Sequence, residues 1–173
     1  FDQYDGIGAS GVSELQNDGF NYFTAGVYWN ESEPQNDVYD WDRLDDSVGI
    51  LPMSKLGFAV KAHPLIWMFD LSMPDYLLSM NESETASEVN DHIGALVSRY
   101  ASQIDRWEVI NEAHGFPASG NFDRDFISAL TRDSVDLVHE LDPDSITTVN
   151  AAFSWYGTDV IMEMYEVDHD ETF

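Results

Sequence analysis

The sequence predicts an α/β protein in which parallel strands alternate with helices. Short runs rich in Val, Ile, Phe and Trp alternate with amphipathic helical stretches, and no hairpin turn joins consecutive runs. No Pro-, Gly- or Ser-rich linker divides the 173 residues, so the length fits a single domain with one core. Parallel strands joined by right-handed crossovers leave two architectures, an eight-stranded barrel and an open doubly wound sheet.

Five strands are predicted, each followed by polar loop residues. They are Asp5 to Ser10, Asn21 to Tyr28, Gly57 to His63, Arg106 to Asn111 and Ser145 to Asn150. The glycines around the first strand, Gly6, Gly8 and Gly11, lack the spacing of a dinucleotide-binding turn, and no P-loop lysine follows them. A nucleotide-binding fold is therefore not expected.

Three helices connect these strands. One runs from Glu84 to Gln103, with apolar residues at helical spacing and Ser83 as its expected cap. A second runs from Phe122 to Leu141. The third, from Asp42 to Leu56, contains Pro52, which is expected to bend or divide it.

The charge is strongly negative, since 33 acidic residues face 7 basic ones and the formal net charge is −26. Apolar residues make up 43% of the chain, so a folded core is expected rather than disorder. A field of this sign repels phosphate backbones and anionic lipids, which excludes nucleic acid and membranes as expected partners. Because the acids are spread along the whole chain, the composition favours a salt-adapted protein, and an ordinary acidic secreted protein is the alternative.

The residue types also limit cofactor chemistry. Without cysteine, the chain has no disulfide, thiolate metal site or cysteine nucleophile. The acidic run from Asp168 to Glu171 lacks the spacing of a calcium-binding loop, and we assign it no metal. The sequence shows neither a leader-like N-terminus nor an 18-residue apolar run, so a soluble, mature or truncated chain is expected.

In both architectures, functional groups gather beyond the carboxyl ends of the strands. The side chains at those positions are Tyr28, Trp29, His63, Trp67, Asn111, Glu112 and Asn150. Aromatic rings stack on sugars, whereas amide and imidazole groups bind hydroxyls. This set therefore favours a carbohydrate site, although His63 and the tryptophans would serve equally as core residues.

Glu112 is the candidate for acid–base chemistry. Strict alternation along its strand places Glu108, Ile110 and Glu112 on one face. A carboxyl at the end of a covered strand is partly desolvated, which suits a general acid. The alternative is an ordinary solvated loop acid, as most of the 33 acids must be.

Three segments resemble successive motifs of glycoside hydrolase family 10, the retaining endo-β-1,4-xylanases. They are Trp29 to Trp41 (WNESEPQNDVYDW), Gly57 to Trp67 (GFAVKAHPLIW) and Trp107 to Glu112 (WEVINE). Their order and spacing also fit, and the resemblance extends from about Gly19 to Asn150. Three motifs in the family's order identify the family far more specifically than any one of them alone.

The resemblance implies an eight-stranded (β/α) barrel, incomplete here, with about the first five βα units in residues 1–173. It also implies that Glu112 is the acid/base, that Asn111 binds the sugar 2-hydroxyl, and that His63 and Trp67 line the subsite beside the cleavage point. The remaining candidates for substrate binding are Tyr28, Trp29 and Asn150. The expected ligand is a β-linked polysaccharide or oligosaccharide, the expected location is extracellular, and no cofactor is expected.

Three departures from the family pattern qualify this resemblance. The family nucleophile lies on strand seven, but only 23 residues follow Asn150, so we expect it to lie outside this chain and the fragment alone to be inactive. A sugar-binding Glu-Asn-x-x-Lys cluster is replaced by Thr24, Ala25 and Tyr28, and Met68 stands where the family has a second histidine.

The leading hypothesis is a retaining, xylanase-like β-glycanase that works by double displacement. One alternative is a barrel that binds glycans without cleaving them, which the lost clamp favours. Another is a related barrel glycosidase such as a β-galactosidase or β-xylosidase, since these also carry Asn-Glu at the end of strand four.

Overall fold

The computed structural model describes residues 9–47, 50–113 and 122–150. Four strands form one parallel sheet: β1 (Tyr22–Gly26), β2 (Ala59–His63), β3 (Arg106–Asn111) and β4 (Ile146–Asn150). They correspond to the second to fifth predicted strands. Their order in the sheet is their order in the chain, β1-β2-β3-β4. A doubly wound sheet reverses its strand order, whereas a barrel does not, so the sheet is part of an α/β barrel.

The first predicted strand is wrong at its end, and its start lies outside the described residues. Ala9 and Ser10 begin helix α1 (Ala9–Asn17) rather than ending a strand. Three further helices precede β2: α2 (Trp29–Ser32), a π-helical turn (Arg43–Ser47) and α3 (Ile50–Lys55). The predicted 42–56 helix is thus divided, but Pro52 lies in the first turn of α3, where its missing N–H costs nothing.

The two long helices, α4 (Glu82–Tyr100) and α5 (Arg124–Leu141), were both predicted, with small shifts at their ends. Helix α4 begins two residues earlier than expected because Asn81, not Ser83, caps it. Oδ1 of Asn81 accepts from the Glu84 amide at 3.1 Å, and the Glu84 carboxylate accepts from the Asn81 amide at 2.9 Å. This reciprocal pair satisfies two amides that the helix itself leaves unbonded.

One face of the sheet is covered by helices and the other carries polar side chains. Val60, Ala62, Trp107 and Val109 face the helical layer and belong to one core with the apolar stripe of α4. The Trp107 indole donates to Asp142, which caps the end of α5, at 2.9 Å. This packing fixes the strands from behind, so their opposite face and carboxyl ends are free to carry function. Within the described ranges, no helix is long and apolar enough to cross a membrane.

Candidate active site

The carboxyl ends of β1 and β2 bring three predicted site residues together. Tyr28 meets His63 edge-on, with ring centroids 5.8 Å apart, and lies 6.3 Å from the ring of Trp67. The Val27 amide donates to the His63 carbonyl at 2.9 Å and fixes the chain that carries Tyr28. The result is an aromatic corner that is only partly buried, as a sugar-stacking surface must be.

Gly26 leaves room for the Tyr28 ring in this corner. A Cβ at position 26 would lie 3.3 Å from Cε2 of the Tyr28 ring, a distance tighter than ordinary van der Waals contact. A side chain at position 26 would therefore require the Tyr28 ring to move by a few tenths of an ångström.

Strand β3 contains an irregularity that the alternation argument did not foresee. Glu108 pairs with Thr148, and Ile110 pairs with Val149, so Val109 is an extra residue on β3. Such a bulge breaks the period of two and re-aims the side chains that follow it. The predicted common face for Glu108, Ile110 and Glu112 is therefore wrong, because the bulge lies between Glu108 and Ile110.

Beyond the bulge, Asn111 and Glu112 are held by β4. Nδ2 of Asn150 donates to Oδ1 of Asn111 at 2.6 Å, and the Glu112 amide donates to the Asn150 carbonyl at 2.9 Å. Glu112 has φ +52°, a left-handed conformation that is costly for a non-glycine residue and typical of functional sites. Glu112 is among the residues that line a small cavity, together with Trp67, Met68 and Asn111.

A second, larger cavity of about 430 Å³ opens on the polar face of the sheet. It is lined by Thr24, Lys61, His63, Glu108, Thr148, Val149 and Asn150. Asn150 lines this cavity and bonds to Asn111 in the smaller one, so the two cavities adjoin at the asparagine pair. Of the seven predicted site residues, five thus line one of the two cavities of this groove, and Tyr28 lies beside them against His63 and Trp67.

Lys61 and Glu108 are site residues that the sequence argument missed. The Glu108 carboxylate is ion-paired with Lys61, and its Oε1 lies 2.9 Å from Nδ1 of His63. Burial alone raises the pKa of the Glu108 carboxyl, but the contacts with His63 and Lys61 outweigh it and hold that pKa below its ordinary value. The signal in the sequence was the alternation of Lys61 with His63 on β2, which places both on one face.

Trp29 is the one predicted site residue that lies elsewhere. Its side chain is 1% exposed, stacks on His92 at 4.4 Å, and donates from Nε1 to Glu33 at 2.9 Å. No ring face is open to a sugar, so the prediction that Trp29 binds substrate is wrong and the residue belongs to the core. Trp155, which follows the last predicted strand and could also stack on a sugar, lies outside the described residues.

The groove contains groups for hydroxyl recognition and proton transfer. Asn150, Asn111 and His63 present amide and imidazole groups, Tyr28 and Trp67 present rings, and Glu112 presents a carboxyl. Among the described residues, no cluster of three or more His, Asp or Glu side chains is arranged for a metal ion. The described groups therefore suit a neutral polyhydroxylated ligand and acid–base chemistry.

Known proteins share both the sequence pattern and the fold. Residues 4–127 match the model of glycosyl hydrolase family 10. The chain is 25% identical over 163 residues to endo-1,4-beta-xylanase C of Paenibacillus barcinonensis, an alignment covering 80% of this chain and 15% of that protein.

Solved structures also resemble this chain in fold. The chain resembles a family 10 structure from Paenibacillus barcinonensis, with a TM-score of 0.73, 22% identity, and coverage of 89% of this chain and 51% of that one. It also resembles Xylanase10C of Cellvibrio japonicus in complex with xylopentaose, with a TM-score of 0.69, 18% identity, and coverage of 92% and 35%.

These structural likenesses confirm the predicted barrel architecture, and the chain spans about half or less of the length of these relatives. The family match covers well over half of the chain and includes the three motifs on which the resemblance rested, up to and including Glu112. The chain therefore belongs to glycosyl hydrolase family 10.

Proposed function

We propose that the complete protein is a retaining, xylanase-like β-glycanase in which Glu112 is the general acid/base. The observation that carries this proposal is the position of Glu112, at the end of β3, in a cavity shared with Trp67 and Asn111 and fixed by the backbone of β4. A carboxyl there reaches a glycosidic oxygen while the ring of Trp67 supports the sugar.

The reaction is a double displacement. Glu112 protonates the leaving oxygen while a carboxylate attacks the anomeric carbon, and Glu112 then takes a proton from the water that releases the sugar. The two carboxyls of such a pair lie about 5 to 5.5 Å apart. We do not assign this role to Glu108, because its buried carboxylate is ion-paired with Lys61 and lies beside His63. We propose that the nucleophile comes from a strand beyond β4.

The polar face of the groove supports a neutral β-linked glycan as substrate. The xylopentaose held by a structural neighbour is a ligand of this chemistry. At the position of the family clamp, however, Ala25 is fully buried and Tyr28 offers a phenol ring in place of an ammonium. This difference favours a second candidate, a related barrel glycosidase acting on another β-linked sugar.

We further propose that the protein acts outside the cell and is adapted to salt. A polysaccharide is too large to reach an intracellular enzyme, and the net charge of −26 is tolerated best where salt screens it.

The test uses the complete protein with soluble xylan and with aryl β-xylobioside, cellobioside and galactoside. We expect cleavage of xylan and of the xylobioside, with the β-anomer as the first product in proton NMR. Cleavage of the galactoside alone would favour the second candidate, and an α-anomeric product would contradict a retaining mechanism. Binding of xylan without any cleavage would identify a glycan-binding barrel. The matched control, Glu112→Gln, is expected to bind xylan but not to cleave it.

A further inference from the structure

The loop after Trp67 extends the aromatic corner of the groove. The ring of Phe69 lies 5.3 Å from that of Trp67, measured between centroids, and is tilted by 32° from it. Trp67 in turn lies 6.3 Å from the ring of Tyr28 and lines the same cavity as Glu112. Three rings therefore follow one another in contact. We call this set, Tyr28, Trp67 and Phe69, the aromatic strip.

The Phe69 end of the aromatic strip is not packed into the core. Phe69 is only partly buried, as Tyr28 and Trp67 are. Two residues further along the chain, Leu71 is 67% exposed, the highest value among the large apolar side chains of the described residues. Exposed apolar side chains that adjoin a binding groove indicate contact with a ligand. Because phenyl and leucine side chains offer no hydrogen-bonding group, that contact is made with an apolar face of the ligand.

Helix α2 fixes the loop that carries Phe69. The amide of Asn30 donates to the Ser72 carbonyl at 2.7 Å, and the amide of Trp29 donates to Oγ of Ser72 at 3.3 Å. The amide of Ser72 donates back to the Phe69 carbonyl at 2.9 Å, which closes the turn. The backbone at Phe69 is therefore ordered before a ligand binds, so binding costs little conformational entropy there.

We propose that Phe69 forms an additional subsite, in which its ring stacks on a sugar unit beyond the one that Trp67 contacts. The two rings lie 5.3 Å apart, about one sugar ring, so consecutive units of one β-linked chain fit against both of them. This inference rests on the proposed glycanase function for the identity of the ligand. It goes beyond that function by giving the protein a preference for longer chains, set by a residue that the reaction itself does not use.

Phe20 provides a matched control. It is 59% exposed and precedes β1, at the amino end of the strands, whereas the groove lies at their carboxyl ends. Phe20→Ala makes the same chemical change away from the groove. It is expected to leave the affinity for every oligosaccharide within about twofold of the reference value, as for an ordinary surface substitution.

Two further variants separate stacking from simple packing. Phe69→Leu keeps an apolar side chain of similar size but has no flat face on which a sugar can stack. Phe69→Trp keeps such a face. These conservative variants also keep the proposal testable if Phe69→Ala fails to fold.

The measurement is calorimetric titration of the complete protein with xylo-oligosaccharides and cello-oligosaccharides of increasing length. Every variant carries Glu112→Gln as well, so that no ligand is cleaved. In the Glu112→Gln reference, the sugar unit that reaches Phe69 should raise the affinity about 5- to 10-fold. Phe69→Ala and Phe69→Leu should lose this step and bind shorter oligosaccharides as before, whereas Phe69→Trp should retain it.

Two results would overturn the proposal. A loss of affinity that is equal at every length, down to the shortest ligand that binds, would show that Phe69 only supports Trp67. A length profile that is the same in Phe69→Ala and in Phe20→Ala would show that no sugar reaches the ring. The titration needs no turnover, so a protein that binds long chains but cleaves none would refute the proposed hydrolysis alone. A protein that cleaves xylan but shows no step at Phe69 would refute this inference alone.

Discussion

Two glutamates of this chain are equally buried, yet their surroundings differ. Glu33 and Glu108 are each 2% exposed, and each carboxylate lies within 3 Å of Nδ1 of a histidine. Each also has a pKa below the ordinary value, because the donors and charges around it outweigh the effect of burial. From burial, partner and pKa alone, the two sites are the same.

What separates them is access. Glu33 is enclosed: Trp29 and the Asp37 amide donate to it at 2.9 Å, and His92 beside it is fully buried. These bonds tie helix α2, the loop after it and helix α4 together. Glu108 instead faces a cavity, and its partners Lys61 and His63 remain about a quarter exposed.

The difference teaches that a buried, perturbed carboxylate is not by itself a functional site. Trp29 and the Asp37 amide donate to Glu33 from within the fold, and the cluster stabilises it. Glu108 and its two partners, Lys61 and His63, instead line the larger cavity. The predictions below test this division between a stabilising cluster, centred on Glu33, and a groove cluster, centred on Glu108.

The largest effect is expected from Glu33→Gln. The amide replaces an acceptor with a donor group facing the buried Trp29 and His92, so the free energy of unfolding should fall by about 3 kcal/mol. Glu108→Gln should cost only about 1 kcal/mol, since its exposed partners regain water. Urea denaturation of both variants of the complete protein checks this order. A larger loss of unfolding free energy in Glu108→Gln than in Glu33→Gln would contradict the view that only the Glu33 cluster stabilises the fold.

The next largest effect is expected from acidification, which should lower the stability that the cluster around Glu33 gives to the fold. Burial lowers the pKa of His92, and the contact with Glu33 only partly offsets this. The unfolded chain, with a histidine pKa of about 6.5, therefore binds a proton that the folded chain excludes, and stability falls as the pH drops below that value. Glu33 also lowers the stability of the folded protein as the pH falls below about 5, because the pKa of its carboxyl is lower in the folded chain than in the unfolded chain.

We expect a loss of about 1 to 2 kcal/mol between pH 7 and pH 5, measured by denaturation at each pH. His92→Gln should flatten this slope between pH 6.5 and pH 5. A slope that is unchanged in the variant would show that acid sensitivity arises elsewhere.

Salt should act on neither cluster but on the exposed acids. With a net charge of −26, the folded protein is destabilised by self-repulsion that molar salt screens. We expect the melting temperature to rise by roughly 3 °C or more between low and molar sodium chloride, which corresponds to about 1 kcal/mol. The cost of Glu33→Gln should be the same at both salt concentrations. A flat melting temperature would contradict salt adaptation.

The smallest expected effect comes from backbone strain. Among the described residues, two that are not glycine have a positive φ, one beside the stabilising cluster and one in the groove. Asp37 beside the stabilising cluster has φ +61°, and Glu112 in the groove has φ +52°. Asp tolerates this conformation better than Glu does, so Glu112→Gly should raise the free energy of unfolding by about 0.5 to 1 kcal/mol, whereas Asp37→Gly should leave it unchanged or lower it. Equal gains at both positions would argue against strain specific to the active site.

Much of the scaffold was predictable because it depends on local patterns. Strand β3 was predicted at its observed bounds, and the two long helices within two or three residues, since apolar spacing and breakers define them. The cap at Asn81 was missed because Asn81 and Ser83 are both good capping residues, and only the contact with Glu84 distinguishes them.

The features that distinguish the groove depend on contacts distant in sequence. The bulge at Val109 arises from pairing with β4, and nothing in the local sequence marks it. Trp29 was assigned to substrate binding because it follows a strand, but its indole turns into the cluster around Glu33. Among 33 acids, Glu33 and Glu108 could not be singled out, since burial is set by tertiary packing.

The central claim is that Glu112 donates the proton in the groove, and the leaving-group dependence of Glu112→Ala tests it most directly. In the complete protein, this variant should lose about 10²- to 10⁴-fold in kcat/KM on an unactivated xylo-oligosaccharide. It should still release dinitrophenolate in a rapid burst at close to the wild-type rate, because that leaving group needs no proton. An equal loss on both substrates would contradict the assignment of Glu112 as the acid.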